Sequence, residues 1–227
     1  MTAAAGRAAR ALPVCFALLT AVHLGALLAG ATTAVQFTKP ALMPVLAAWA
    51  LVRGGPWPLP AALLCGCGGD VLLQIGGEIA FLAGMGCFAA GHLCYLALFA
   101  RTVRRRTALR AAAGYGAAWL GTVALLWPGL APELRLPVAG YSLLLTAMGL
   151  GALGAGPWTG LGGALFLLSD TLIAAGLADW PRPPVPQFWI MATYAAAQWL
   201  LTAGVLRAGA SRPGPAGALV RPGREAA

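Results

Sequence analysis

The sequence predicts an all-α polytopic membrane protein, a bundle of eight transmembrane helices with both termini on the cytoplasmic side. Three observations lead there. Hydrophobic residues make up 60% of the 227 and charged residues 9%, whereas a soluble globular domain carries about 25% charged residues. Apolar segments near the spanning norm of about 20 residues recur along the chain. They lack the alternation of a barrel strand, so helices, which satisfy their own backbone hydrogen bonds, must do the crossing. Basic residues, finally, collect at alternate connections.

The elements run as follows. The first segment, 12–30, follows Arg7 and Arg10. It could be a signal peptide ending in the "AGA" at 29–31, but it outlasts the h-region of about 7 to 15 residues such peptides carry, so it is read as a helix. The second, 37–52, is short and holds Lys39, Pro40 and Pro44; Gln36 and Lys39 are expected to begin it, with Pro40 in its first turn. The break "GGPWP" leads into the third, 59–76, and a tight "GGE" turn leads into the fourth, 79–100. The run "RTVRRR" precedes the fifth, 108–127. The sixth (136–154) and seventh (157–178) adjoin, and "WPRPPVP" separates the seventh from the eighth, 186–207. Residues 1–207 thus form one membrane domain. The tail 208–227, rich in Gly, Pro, Ala and Arg, is expected to be a disordered cytoplasmic extension.

Charge tests the helix count. With alternating helices, one side receives Arg7, Arg10, Arg53, the cluster Arg101, Arg104, Arg105, Arg106 and Arg110, then Arg207, Arg212, Arg221 and Arg224, which is twelve of the fifteen basic residues. The other side receives Arg135 and Arg182, and Lys39 lies within a segment. The positive-inside rule makes the first side cytoplasmic and the plasma membrane the expected location. The net charge of +9 is therefore explained by topology and by attraction of the Arg cluster to anionic lipid headgroups, not by nucleic acid. The oligomeric state is not legible.

Cys15, Cys65, Cys67, Cys87 and Cys94 all fall within predicted helices, which argues against a disulfide framework. Cys65 and Cys67 are two apart and cannot face the same way on a helix. They read as small packing residues among Gly66, Gly68 and Gly69.

The informative residues are the polar ones inside the membrane: Lys39, Asp70, Asp170, His23 and His92, with Gln36, Gln74, Ser169, Tyr95, Tyr194 and Gln198. An Asp or Lys at such depth costs at least about 2.5 to 3.5 kcal/mol and is a functional candidate by default. His23, alone in its helix, reads as a packing hydrogen bonder. Cys67, Asp70 and Gln74 form one stripe of the third helix, and Phe81, Gly84, Phe88, His92 and Tyr95 one stripe of the fourth, so the two stripes can face each other. At about 1.5 Å per residue, Lys39, Asp70 and Asp170 share a layer about 6 to 12 Å from the non-cytoplasmic end, with His92 about 20 Å deep. "DVLLQIG" from Asp70 and "DTLIAAG" from Asp170 match at Asp, Leu and Gly, which suggests two parallel four-helix halves meeting at the two carboxylates.

The pieces "TKPALMP" (38–44), "GDVLL" (69–73), "FLAGMGCFAAGHLCY" (81–95), "LFLLSDTLIA" (165–174) and "YAAAQWL" (194–200), in this order and spacing, resemble the YhhN or TMEM86 family, which includes the lysoplasmalogenases. The resemblance implies an integral membrane hydrolase that cleaves the vinyl ether bond of a lysophospholipid within the bilayer, giving a fatty aldehyde and a glycerophospho-alcohol. It marks Lys39, Asp70, His92 and Asp170 as the polar core.

The chemistry suits these residues. A vinyl ether needs a proton at its β-carbon, a stabilised oxocarbenium-like cation and a water, and two carboxyl groups can divide that labour if one is protonated and the other ionised. Asp70 and Asp170 are the expected catalytic pair, with His92 positioning water or shuttling protons. Lys39 is expected to take the substrate phosphate or to hold one Asp ionised, and Tyr95, Tyr194 and Gln198 complete the substrate-binding set. No cofactor is implied, and two His so far apart with two Asp make a thin metal site. A buried structural ion network, a proton-coupled transporter or a lipid-binding protein would use the same side chains.

Overall fold

A computed structural model describes residues 3–100 and 105–210, without the side chains of 105–110 and 210. The side chains of the arginine cluster and the tail from 211 onward lie outside the described residues. Those residues form eight helices in the predicted order: α1 (Ala3–Leu28), α2 (Thr32–Val52), α3 (Pro58–Ile75), α4 (Glu78–Phe99), α5 (Arg105–Leu126), α6 (Pro132–Ala155), α7 (Pro157–Leu177) and α8 (Pro186–Ala210). Seven are long and apolar enough to cross a membrane, and α5 is apolar over Ala111–Leu126. Large apolar side chains such as Phe37, Ile79, Leu120 and Leu136 point outward, as lipid-facing residues of a multi-pass membrane protein do.

The start of α2 departs from the sequence reading. The helix begins at Thr32, so Lys39 and Pro40 lie inside it and not in its first turn. Two interior prolines remove two N–H donors and orphan the carbonyls four residues back, those of Gln36 and Pro40. In a membrane such carbonyls must be answered by a neighbouring helix. The thiol of Cys67 on α3 donates to one of them, the Pro40 carbonyl, at 3.2 Å, and two turns further along α3 the Gln74 amide donates to the Val35 carbonyl, next to that of Gln36, at 3.4 Å.

These contacts also correct the facing of α3. The stripe Cys67, Asp70, Gln74 looks at α2, not at α4. Toward α4 the helix presents glycine: a methyl group on Gly69 would sit 2.5 Å from the Phe88 ring, and one on Gly84 would sit 3.2 Å from the Gly69 carbonyl oxygen. Small residues let the two backbones approach, the usual basis of helix association in lipid.

Packing closes seven helices into a ring, α1–α2–α3–α4–α6–α7–α8 and back to α1, while α5 lies outside it against α6. The core inside the ring includes Met43, Leu63, Tyr95, Met148, Phe166 and Leu201. Trp199 of α8 stacks on Trp49 of α2, ring centroids 4.9 Å apart, and on Phe16 of α1 at 5.9 Å, which fastens the point where the ring closes.

Candidate active site

Lys39 reaches from α2 to Asp70 on α3, Nζ to Oδ1 3.3 Å. The pair is nearly sealed, the Asp70 side chain 4% and the Lys39 side chain 12% exposed. Neither charge is tolerable at this depth alone, and together they neutralise each other. The second oxygen of Asp70, Oδ2, is buried and makes no hydrogen bond to a described residue. The Tyr194 hydroxyl of α8 stands beside Asp70 and Gln198 without a hydrogen bond of good geometry to either. Gly66 makes room for it, since a methyl group there would lie 2.8 Å from that hydroxyl.

Asp170 of α7 lies across a cavity of about 190 Å³ whose lining includes Lys39, Asp70, Ser169, Asp170, Gln187 and Tyr194. The three residues expected to lie in one layer therefore line one space, and the two carboxyl groups open on it. Asp170 has a different partner. The Tyr141 hydroxyl of α6 donates to its Oδ2. With its one proton so engaged, the Tyr141 oxygen accepts from Nε2 of His92 at 3.1 Å. This network places a proton on Nε2 of His92, whose Nδ1 is buried with no partner among the described residues. Phe166 holds the imidazole edge-on, centroids 4.8 Å apart. His92 thus touches the site through Tyr141 and does not line the cavity.

The remaining candidates fall outside it. Tyr95 donates to Oε1 of Gln198 at 2.6 Å, and both are 1% exposed. They form a buried brace behind Tyr194, and neither lines the cavity. His23 bonds to the Thr38 hydroxyl at 2.8 Å; that hydroxyl already donates to the Ala34 carbonyl, so His23 is the donor, tying α1 to α2 as a packing residue. Among the described residues no three His, Cys, Asp or Glu side chains converge as a metal site would require.

Tyr141 is the residue that sequence reasoning missed. Its signal was available: it is one of four tyrosines in the chain, set in the apolar "VAGYSLLL" of the sixth segment. A lone tyrosine there needs a partner for its hydroxyl, and Asp170 is the carboxyl group in the next helix.

The YhhN family model matches residues 34–205, which include every residue of the site. The chain is 37% identical over 171 residues to lysoplasmalogenase TMEM86B of Rattus norvegicus, covering 74% of this chain and 71% of that protein. It is 35% identical over 161 residues to lysoplasmalogenase TMEM86B of Homo sapiens, 70% of this chain and 69% of that one. With the lysoplasmalogenase of Mycobacterium tuberculosis it shares 33% identity over 158 residues, 65% of this chain and 59% of the relative. No solved structure matches. On the family match and on these relatives, the chain belongs to the YhhN family.

Proposed function

We propose that this protein is a lysoplasmalogenase-like hydrolase that cleaves the vinyl ether bond of a lysophospholipid, without a metal, from within the plasma membrane. The observation that carries the reading is the pair of carboxyl groups, Asp70 and Asp170, open to one cavity yet held by unlike partners. The name printed for the relatives, lysoplasmalogenase, supports the reaction.

The partners divide the roles. Asp70, paired with the Lys39 ammonium, is the carboxylate. Asp170, held by the neutral Tyr141 hydroxyl, is the acid, with Tyr141 on Oδ2 leaving the proton to Oδ1. Asp170 gives that proton to the β-carbon of the vinyl ether, and the positive charge moves to the α-carbon and ether oxygen. The Tyr141 hydrogen bond then stabilises the Asp170 carboxylate that forms. Asp70 takes a proton from a water in the cavity as the oxygen of that water bonds to the α-carbon, giving a hemiacetal. The hemiacetal breaks its bond to the glycerol oxygen, which takes the proton held by Asp70 as the hydroxyl group gives its own to Asp170, so both carboxyl groups return to their starting states. The products are a fatty aldehyde and a glycerophospho-alcohol, with one water consumed. His92, fixed against Phe166, orients Tyr141.

Purified protein incubated in detergent with lysoplasmalogen and, separately, with acyl lysophospholipid tests this. Aldehyde released at an unchanged rate in the presence of a chelator is expected; fatty acid alone would make the protein a lysophospholipase. Orientation has its own test. Reporter fusions after residue 106 and after Arg207 should both report cytoplasm, and one within "DWPRPPV" the opposite side.

A further inference from the structure

Asp170 has a second face. Besides the small cavity it shares with Asp70, it lines a groove of about 670 Å³ between α5, α6 and α7. The groove exists because α5 packs outside the ring against α6 and leaves a slot along α7. Its walls follow helical spacing: Ala111, Gly114, Ala118 and Leu126 along α5, and Ala164, Leu167, Asp170 and Ala174 along α7.

The groove is apolar by construction. Three of its hydroxyl groups are turned back on their own helices: Ser142 donates to the Ala139 carbonyl, Thr146 to that of Ser142 and Thr171 to that of Leu167. The indole N–H of Trp119 is taken by Ser142. Besides the hydroxyl groups of Tyr115 and Thr122 on α5, three groups keep polar character toward it: Arg135 at one end, and Tyr141 with Asp170 further in. The Arg135 guanidinium lies over the Trp127 ring, 5.8 Å from its centroid, and its Nε donates to the Leu130 carbonyl. That leaves its two Nη groups for a ligand.

The spacing along the groove has the proportions of a single-chain lipid. Arg135 and Tyr141 are six residues apart on α6, about 9 Å. From Tyr141 to Leu153, at the far end, is about 18 Å at the same rise. One leaflet of hydrocarbon is about 15 Å thick, half of the roughly 30 Å core. In a lysophospholipid only the few bonds of the glycerol unit separate the phosphate from the first carbons of the sn-1 chain. An anion on Arg135 therefore sets those carbons beside Asp170 and leaves the rest of the chain for the apolar remainder. Two other large cavities among the described residues lack that combination. The depression of about 740 Å³ near Arg7 and Arg10 is walled by α1 alone, and the one of about 530 Å³ between α1 and α8 has neither a cation nor a carboxyl group.

We infer that the α5–α6–α7 groove is the lipid-binding site, taking one hydrocarbon chain along its length with the phosphate on Arg135 and the first chain carbons at Asp170. The inference rests on the hydrolase reading above for what happens at Asp170, but not for binding. It moves phosphate recognition from Lys39, which Asp70 occupies, to Arg135, and it makes chain length a property of α5.

Two glycines of α5 supply a matched test. Gly114 lines the groove and Gly116 does not, and a Cβ at either meets nothing within 4 Å, so a side chain can leave the helix at both positions. Gly114→Phe should cut the kcat/KM ratio of a long-chain to a short-chain lysoplasmalogen by roughly tenfold or more, while Gly116→Phe leaves that ratio unchanged. Arg135→Gln should lower kcat/KM for the phospholipid by about tenfold or more, chiefly through KM. The loss should be much smaller on a phosphate-free alkenylglycerol and partly restored by Arg135→Lys. Binding is read separately with a saturated 1-O-alkyl lysophospholipid bearing a diazirine at its chain end. Its label should fall on α5 or α6 of the wild-type protein and be lost in Gly114→Phe.

Label on α1 or α8, or equal behaviour of the two phenylalanine variants, would overturn the inference even if aldehyde is released. Label in the groove with no aldehyde from any lipid would uphold the groove and defeat the hydrolase reading. Should Arg135→Gln fail to fold, the glycine pair and the label still decide.

Discussion

Asp70 and Asp170 open stretches of sequence that match at three of seven positions, "DVLLQIG" and "DTLIAAG", and face one cavity, yet they are different chemical objects. Asp70 is buried and held by the Lys39 ammonium of α2. Asp170 is partly accessible and held by the Tyr141 hydroxyl of α6. In each case the partner comes from the helix before, at nearly the same distance back along the chain. If the chain is an old duplication, α2 corresponds to α6 and α3 to α7, and one partner position has become a cation in one half and a phenol in the other. The difference shows that the setting of a membrane carboxyl group does not fix its role. The neighbouring helix does, by bringing a charge or only a proton donor.

The largest effect should come from removing either carboxyl group. Asp170→Asn and Asp70→Asn keep shape and hydrogen bonding but cannot give or take the proton, and each should lower kcat by about 10² to 10⁴. Because the two act as a unit, the double variant should be little worse than either single one. Turnover by purified, folded variants checks this, and full activity in either single variant would dissolve the comparison.

Lys39 separates the two sites further. Lys39→Met leaves the Asp70 charge buried without its partner, an event that costs about 3 to 5 kcal/mol, so unfolding in detergent should shift markedly as activity falls. Adding Asp70→Asn to Lys39→Met removes the stranded charge and should restore most of the stability but none of the activity. Were stability not restored, Lys39 would be holding more than Asp70.

The contrast between the halves also marks how far the sequence could be read. Eight helices and the shared layer of Lys39, Asp70 and Asp170 were legible because burial of a charge in lipid is costly enough to dominate any other signal. The start of α2 was not, because Pro40 looks the same at a first turn as in an interior whose freed carbonyls another helix answers. That answer, the Cys67 thiol on the Pro40 carbonyl, is a property of two helices together. Tyr141 went unread because a tyrosine costs little in an apolar helix and so announces little. The groove was invisible because it depends on α5 lying outside the ring, and no local pattern in α5 says so.

Tyr141→Phe probes the Asp170 half alone. It removes the donor to Asp170 and the acceptor for His92 with no loss of ring packing. The loss of a charge-assisted bond to the carboxylate that forms should cost about tenfold in kcat. His92→Asn, which acts through Tyr141, should cost less than Tyr141→Phe on the wild type and almost nothing on top of it. Independent, additive losses in the double variant would mean that His92 reaches the reacting atoms by another route.

The smallest effect belongs to the Asp70 half, where Cys67 and Gln74 hold α2 against α3 on either side of the ion pair. Cys67→Ala removes one hydrogen bond to a carbonyl that Pro44 has already deprived of its helical donor. Such a bond contributes about 0.5 to 1.5 kcal/mol, and a thiol, a weak donor, belongs at the lower end. Cys67→Ala should therefore lower the unfolding midpoint slightly and leave kcat and KM near wild type, since Lys39 and Asp70 still meet without it. Cys67→Ser, a stronger donor in nearly the same volume, should recover the midpoint. If Cys67→Ala instead loses activity on the scale of Lys39→Met while remaining folded, the register of α2 on α3 depends on that single bond. The ion pair would then be a consequence of the Pro40 contact, and the difference between the two carboxyl groups would originate one turn away from Asp70, at the prolines of α2.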